Sequence, residues 1–212
     1  HMKSEMISLV SHELRTPITP LKTSLQIISS GRAGEVTPNM AKFLTMANKN
    51  IESFSKIIND LLDMSKIEAG KMDYKFTSTN VEKLIEFVKL QQTNVAESKG
   101  LNLTTHFDDR FVTVFADSSR LQQVLNNLLS NAIKFTNAGG TIDISTKVID
   151  ASEIRTPECF AEEVKNLEGK YLQVCVSDDG IGIEKENLPK IFDQFQQVES
   201  SLSREVGGTG LG

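Results

Sequence analysis

The chain has 212 residues, 39% of them hydrophobic and 24% charged, ordinary figures for a soluble globular protein of one large domain or two modest ones. A net charge of −5 leaves no basic surplus to neutralise phosphates, which argues against a general nucleic-acid binder. The two cysteines, Cys159 and Cys175, suggest no disulfide framework and favour a reducing compartment. No apolar run approaches the roughly 18 residues that span a bilayer, and no signal peptide is visible, so no membrane contact is expected of this stretch. His1-Met2 reads as a cloning remnant, and the start and the abrupt end at Gly212 suggest a piece excised from something longer.

Residues 3 to about 30 read as one long helix. Leu14, Ile18, Leu21, Leu25 and Ile28 follow a 4-3-4-3 spacing, the seam of a supercoiled pair or bundle. Continued back through Ser11 to Ile7, that seam leaves His12 one residue off it, displayed with Glu13 beside it and Thr16 one turn further on. A displayed imidazole serves as base, metal ligand or nucleophile, or is simply a solvated surface histidine. No second His or Cys stands at ligand spacing, which argues against a metal. Pro17 and Pro20 cannot donate to the carbonyls of Glu13 and Thr16, so a bend is expected just after His12.

Gly31 to Glu35 breaks the helix, and Thr37-Pro38 is a cap plus first-turn proline for a second helix to about residue 69. Its seam is Ala47, Ile51, Phe54, Ile58 and Leu61, and Gly70 is the expected stop. A hairpin with one long apolar seam per helix cannot cover both by itself. A homodimeric four-helix bundle solves that burial problem.

Beyond residue 73 the texture becomes mixed α and β. Short strands are expected at Tyr74–Thr79, Leu101–Phe107 and Phe111–Phe115, the last two joined by an Asp108-Asp109-Arg110 turn. An amphipathic helix over 81–99 carries Val81, Leu84, Ile85, Val88 and Val95, and His106 reads as a surface strand residue. Asp117 or Ser118 caps a helix to Phe135 with Leu121, Val124, Leu125, Leu128, Ala132 and Phe135 as its expected core face. Asn127, Asn131 and Lys134 share its other side, a stripe suited to a hydrated cation and phosphates. Strands at Thr141–Ile149 and Leu172–Ser177 enclose a polar surface excursion, 150–169, and place Cys175 in the sheet or interior. Asp178-Asp179-Gly180-Ile181-Gly182 follows the last strand, where glycines allow close approach of a ligand to the backbone. A short helix is expected over Glu184–Phe192, then a polar stretch and Gly207-Gly208-Thr209-Gly210-Leu211-Gly212.

Taken together, "SHELRTPITPL", "NLLSNAIKFTNAGG", "DDGIG", "IFDQFQQ" and "GGTGLG" closely resemble, in order, the H, N, G1, F and G2 boxes of the sensor histidine kinases. The resemblance implies an α plus α/β fold: a helical hairpin (3–70) forming a dimeric four-helix bundle, then an α/β sandwich ATP-binding domain (73–212), C-terminally incomplete. It makes His12 the phospho-acceptor, Glu13 the residue that orients the ring and takes its proton, and Thr16 the positioner of water in dephosphorylating a partner. It gives Mg²⁺ to Asn131, support to Asn127, phosphate to Lys134 and the adenine amino group to Asp178. Gly180 and Gly182 would shape that turn, Phe192 and Phe195 would anchor a lid, and Gly208, Thr209, Gly210, Leu211 and Gly212 would offer backbone to phosphates.

The function so implied is ATP·Mg²⁺-dependent phosphorylation of His12. Transfer to an aspartate of a response-regulator receiver domain follows, with possible phosphatase activity on that regulator. The implied setting is cytoplasmic, whether or not the parent is anchored in a membrane. Two other readings compete. One is a docking and dimerisation module with little kinase activity. The other is an ATPase of the gyrase and Hsp90 type, against which stands the asparagine at 127, where those proteins normally carry a glutamate.

Overall fold

The structure, a computed structural model, describes residues 2–108, 112–156 and 167–191; the side chains of 2–9, 11 and 12 lie outside the described part. The chain divides into two compact units, with the break between Asp73 and Tyr74.

The first unit is a pair of long helices, α1 (Met2–Ser29) and α2 (Pro38–Glu68). α1 stays helical through Pro17 and Pro20. Two hydroxyls occupy carbonyls along that stretch: Thr19 Oγ1 donates to Arg15 O at 3.2 Å and Thr23 Oγ1 to Thr19 O at 3.0 Å. Gly31 turns the chain with φ +75°, a conformation that costs glycine little. Thr37 caps α2 by accepting from Met40 N at 3.3 Å, with Pro38 in the first turn, where its missing N–H is no loss. At the far end Gly70, φ +64°, stops the helix.

Ile18, Ile58 and Leu62 are buried between the two helices, and Ile51 packs against them. Arg15 reaches across to Asn59 Oδ1 at 2.8 Å. The rest of the expected seam is only partly used within one chain. Leu25, Ile28, Ala47 and Leu61 are half-buried, while Leu21 is 55% and Phe54 43% exposed.

The second unit is a two-layer α/β arrangement. Its elements are β1 (Thr77–Asn80), α3 (Val81–Ser98), β2 (Asn102–Phe107), β3 (Thr113–Ala116), α4 (Ser118–Phe135), β4 (Thr141–Asp150) and β5 (Lys170–Asp178). β2, β4 and β5 form one sheet in that order, β2 parallel and β5 antiparallel to β4, while β1 pairs antiparallel with β3. The helices cover one face. Val81, Ile85, Val88 and Ala96 of α3 and Leu125, Leu129, Ala132 and Ile133 of α4 bury against Ile142 and Ile144 of β4. Each buried Val, Leu or Ile among them contributes about 1.5–3 kcal/mol relative to exposure.

Several expectations are corrected. β2 and β3 are not a hairpin: β2 bonds to β4 and β3 to β1, so the Asp108-Asp109-Arg110 turn signal did not say which strands pair. Tyr74 and Phe76 precede β1 rather than belong to it; their rings lie 5.9 Å apart. The inner face of α4 is rotated from the expected one. Val124 (53%) and Leu128 (47%) are exposed, while Leu129 (0%) and Ile133 (3%) are buried. Val95 of α3 is likewise exposed. Cys175 lies in β5 but is exposed, because Leu172, Val174 and Val176 take the inward positions of the period-2 alternation. In place of a helix over Glu184–Phe192 the described residues hold one 3₁₀ turn, Leu188–Lys190. The polar excursion begins with a 3₁₀ turn at Ala151–Glu153, and its residues 157–166 lie outside the described residues. His106 is a surface strand residue as expected, its Nδ1 hydrogen-bonded to Asp143 Oδ1.

No helix among the described residues is long and apolar enough to cross a membrane.

Candidate nucleotide and phospho-acceptor sites

α4 is fixed at its start by Asp117. That carboxylate accepts from Ser119 Oγ at 2.6 Å, Lys75 N at 2.8 Å, Ser119 N at 3.0 Å and Arg120 N at 3.2 Å. The Ser119 hydroxyl, then the Lys75 and other backbone N–H groups, favour the charged form and hold its pKa down at about 2. Packing against β4 then sets the rotation of the helix about its axis. With Leu125, Leu129, Ala132 and Ile133 inward, Asn131 is exposed, and Asn127 and Lys134 are half-buried. Lys134 Nζ sits 4.7 Å above the centre of the Phe135 ring. Burial, and secondarily the charge of Lys99, push its pKa down. Lys99 itself donates from Nζ to the carbonyl of Ile133 at 2.9 Å, satisfying one of the carbonyls left open at the end of α4.

The second element is the turn after β5. Asp178 is the last residue of the strand, and its Oδ1 accepts from Gly180 N at 3.0 Å. Ile181 N donates to Phe135 O at 3.2 Å, which brings the turn against the C-terminal end of α4. Gly180 is required there by space. A Cβ would stand 2.5 Å from Phe135 O and 2.7 Å from Asp178 Oδ1. Gly182 is required by conformation, with φ +69°. Asp178 is far in sequence from Asn131 and Lys134, yet the two segments that carry them share a backbone hydrogen bond. Sequence reasoning missed the groups that make this junction, Phe135 O, Lys99, Gly140 and Asp179. Only the adjacent Gly139-Gly140 hinted that backbone passes close by.

In the hairpin, Glu13 and Thr16 are exposed on α1, one turn apart, and the side chain of His12 lies outside the described part. A shallow groove of about 190 Å³ follows further down the hairpin, lined by Arg15, Ile18, Thr19, Lys22, Ser55 and Asn59 among others. Phe192, Phe195, Gly208, Thr209, Gly210, Leu211 and Gly212 lie outside the described residues.

Two protein-family models match the chain. The His Kinase A (phospho-acceptor) domain matches residues 2–70, and the histidine kinase-, DNA gyrase B- and HSP90-like ATPase matches residues 116–212. The chain belongs to the sensor histidine kinase family. It carries that family's phospho-acceptor domain followed by its ATP-binding domain.

Among curated relatives, the chain is 37% identical over 211 residues to the non-motile and phage-resistance protein of Caulobacter vibrioides, covering 99% of this chain and 23% of that protein. It is 32% identical over 212 residues to the sensor histidine kinase WalK of Bacillus subtilis, covering 99% of this chain and 31% of that one. The chain therefore spans between a fifth and a third of the length of these relatives. The fold is shared with full-length ShkA, solved with AMPPNP: the TM-score is 0.72 at 22% identity, over 98% of this chain and 39% of that one.

Proposed function

We propose that this histidine-kinase chain binds ATP with Mg²⁺ in its second unit, transfers the γ-phosphoryl group to His12, and passes it on to an aspartate of a response-regulator receiver domain. Support comes from one arrangement above all: the Asp178 turn is hydrogen-bonded onto the end of the Asn131–Lys134 helix, in a chain that also carries a phospho-acceptor domain.

The residues at that junction fit the proposed ligand. Gly180 lets the turn close onto the carbonyl of Phe135, where a Cβ would clash, and so keeps the Asp178 carboxylate at the end of the helix that carries Asn131 and Lys134. Asp178 accepts from the adenine amino group; guanine offers a carbonyl at that position and is rejected. Lys134 is the phosphate cation. Among the described residues no group of three or more His, Cys, Asp or Glu could hold a metal. Mg²⁺ would be held by the Asn131 carboxamide oxygen, with Asn127 in support, a hard oxygen donor of the kind this ion takes. When bound, Mg²⁺ supplies charge neutralisation along the phosphates. Phe192, Phe195 and 208–212 are assigned lid and phosphate contacts through the resemblance of their motifs.

At the acceptor, Glu13 holds the imidazole and takes the proton from one ring nitrogen, leaving the other to attack. The nitrogen–phosphorus bond forms as the bridging phosphorus–oxygen bond to ADP breaks. Positioning and charge neutralisation carry such a step. Thr16 orients the water that hydrolyses the receiver's aspartyl phosphate, giving the chain a phosphatase capacity. The half-used seams of α1 and α2 are covered by a second copy in a four-helix bundle. The whole protein works in the cytoplasm, where ATP is available, with any membrane anchor outside this stretch.

The test is incubation with Mg²⁺ and γ-labelled ATP, comparing the chain with His12→Gln. Label that survives alkali, is lost in acid and disappears in His12→Gln is the expected result. A chain that binds ATP but never labels His12 would leave the docking-module reading in its place.

A further inference from the structure

Two aspartates stand side by side at the end of β5, and they hold different partners. Asp178 bonds within its own turn, to Gly180 N. Asp179 reaches across to the first residue of β4: its Oδ1 accepts from Thr141 N at 2.9 Å, and its own N–H donates to Thr141 O at 3.4 Å. The regular β4–β5 pairing ends at Ile142 opposite Asp178. Asp179 extends that ladder by one step, its backbone N–H donating as in a strand and its side-chain oxygen standing in for the backbone carbonyl. Gly140 closes the clamp from the side. A Cβ there would stand 2.5 Å from Asp179 Oδ1, 2.4 Å from Thr136 Cγ2 and 3.0 Å from Asn137 O. Its φ lies outside the left-handed region, so space, not conformation, demands glycine at this position.

We infer that Asp179 is a positioning residue that sets the Asp178 carboxylate, and thereby the preference of the site for adenine over guanine. The inference rests on the reading of Asp178 as the adenine acceptor. Beyond Asp178 the turn is held at two places, by Asp179 on Thr141 and by Ile181 on Phe135, and the glycines between have little stiffness of their own. Asp178 lies directly beside the first of these holds. Releasing it lets the carboxylate drift, and a hydrogen bond that discriminates between bases demands placement to a fraction of an ångström.

The experiment measures dissociation constants for ATP and GTP, together with the thermal midpoint, on the 212-residue chain and on Asp178→Asn, Asp179→Ala, Asp179→Asn and Gly140→Ala. Asp179→Ala is expected to weaken ATP by about tenfold, the scale of one lost charge-assisted hydrogen bond, and to shrink the ATP-to-GTP preference with it. Asp179→Asn keeps an oxygen for Thr141 N and should restore the preference. Gly140→Ala pushes the carboxylate aside without removing it and should mimic Asp179→Ala; it decides the matter if Asp179→Ala does not fold. A lowered midpoint with an unchanged ATP-to-GTP ratio in Asp179→Ala and Gly140→Ala would reduce Asp179 to a structural role. If the unaltered chain does not prefer ATP, or Asp178→Asn leaves ATP affinity unchanged, the adenine reading falls and this inference with it.

Discussion

The N–H of Ile181 donates to the carbonyl of Phe135 at 3.2 Å, so the last residue of α4 and the turn after β5 are joined directly. The contact is possible because Gly180 has no Cβ to meet that same carbonyl at 2.5 Å. Gly180→Ala should therefore cost about 1–3 kcal/mol of stability, as overpacking against backbone does, and should abolish measurable ATP binding. Chemical denaturation and ATP titration check both. Unchanged values would mean that the turn does not depend on this approach.

Leu128 and Leu129 are neighbours with opposite fates, 47% and 0% exposed. Leu129→Ala should destabilise the second unit by about 2–5 kcal/mol, and Leu128→Ala by less than about 1 kcal/mol. Urea unfolding followed by circular dichroism separates the two. A larger effect from Leu128→Ala than from Leu129→Ala would restore the helix rotation that the hydrophobic pattern suggests.

Acid should unfold the second unit in part through Asp117. Its carboxyl is held at about 2, below its ordinary 3.8, so its contribution is fully present above the ordinary value and is lost as pH falls from there towards 2. Asp117→Asn removes that titration. Its stability-against-pH curve should lie below that of the unaltered chain near neutrality and converge with it towards pH 2. Thermal midpoints measured from pH 6 downward test this; parallel curves would assign the acid limb to other groups.

Leu21 and Phe54 expose 55% and 43% of their surfaces within one hairpin. If a second copy covers them, each contributes about 1–1.5 kcal/mol to association, the share of full burial that its exposure leaves. Leu21→Asp should then weaken the dimer by at least about tenfold, read by sedimentation equilibrium, while the helical signal of the hairpin stays. Ile18→Ala is the contrast. Ile18 is buried against α2, so its loss should lower the melting point of the hairpin itself.

Much of the site was legible because its signals are local. Thr37-Pro38 and Gly70 bound α2 through chemistry within one turn, and the spacing of Asn127, Asn131 and Lys134 puts them on one side of α4 whatever surrounds the helix. The motifs around His12, Asn131 and Asp178 are likewise contiguous, and the family follows from them. Tertiary structure decided what depends on residues distant in sequence. Val124 and Leu128 fit the apolar period as well as Leu129 and Ile133 do, and only the position of β4 determines which pair is buried. A strand's pairing partner is equally invisible in its own residues, which is why β3 lies on β1 and β2 on β4. The bonds of Asp179 to Thr141 and of Ile181 to Phe135 exist only once the sheet has brought three chain ends together, because a hydrogen bond needs its two atoms within about 3 Å and sequence proximity sets no such distance here.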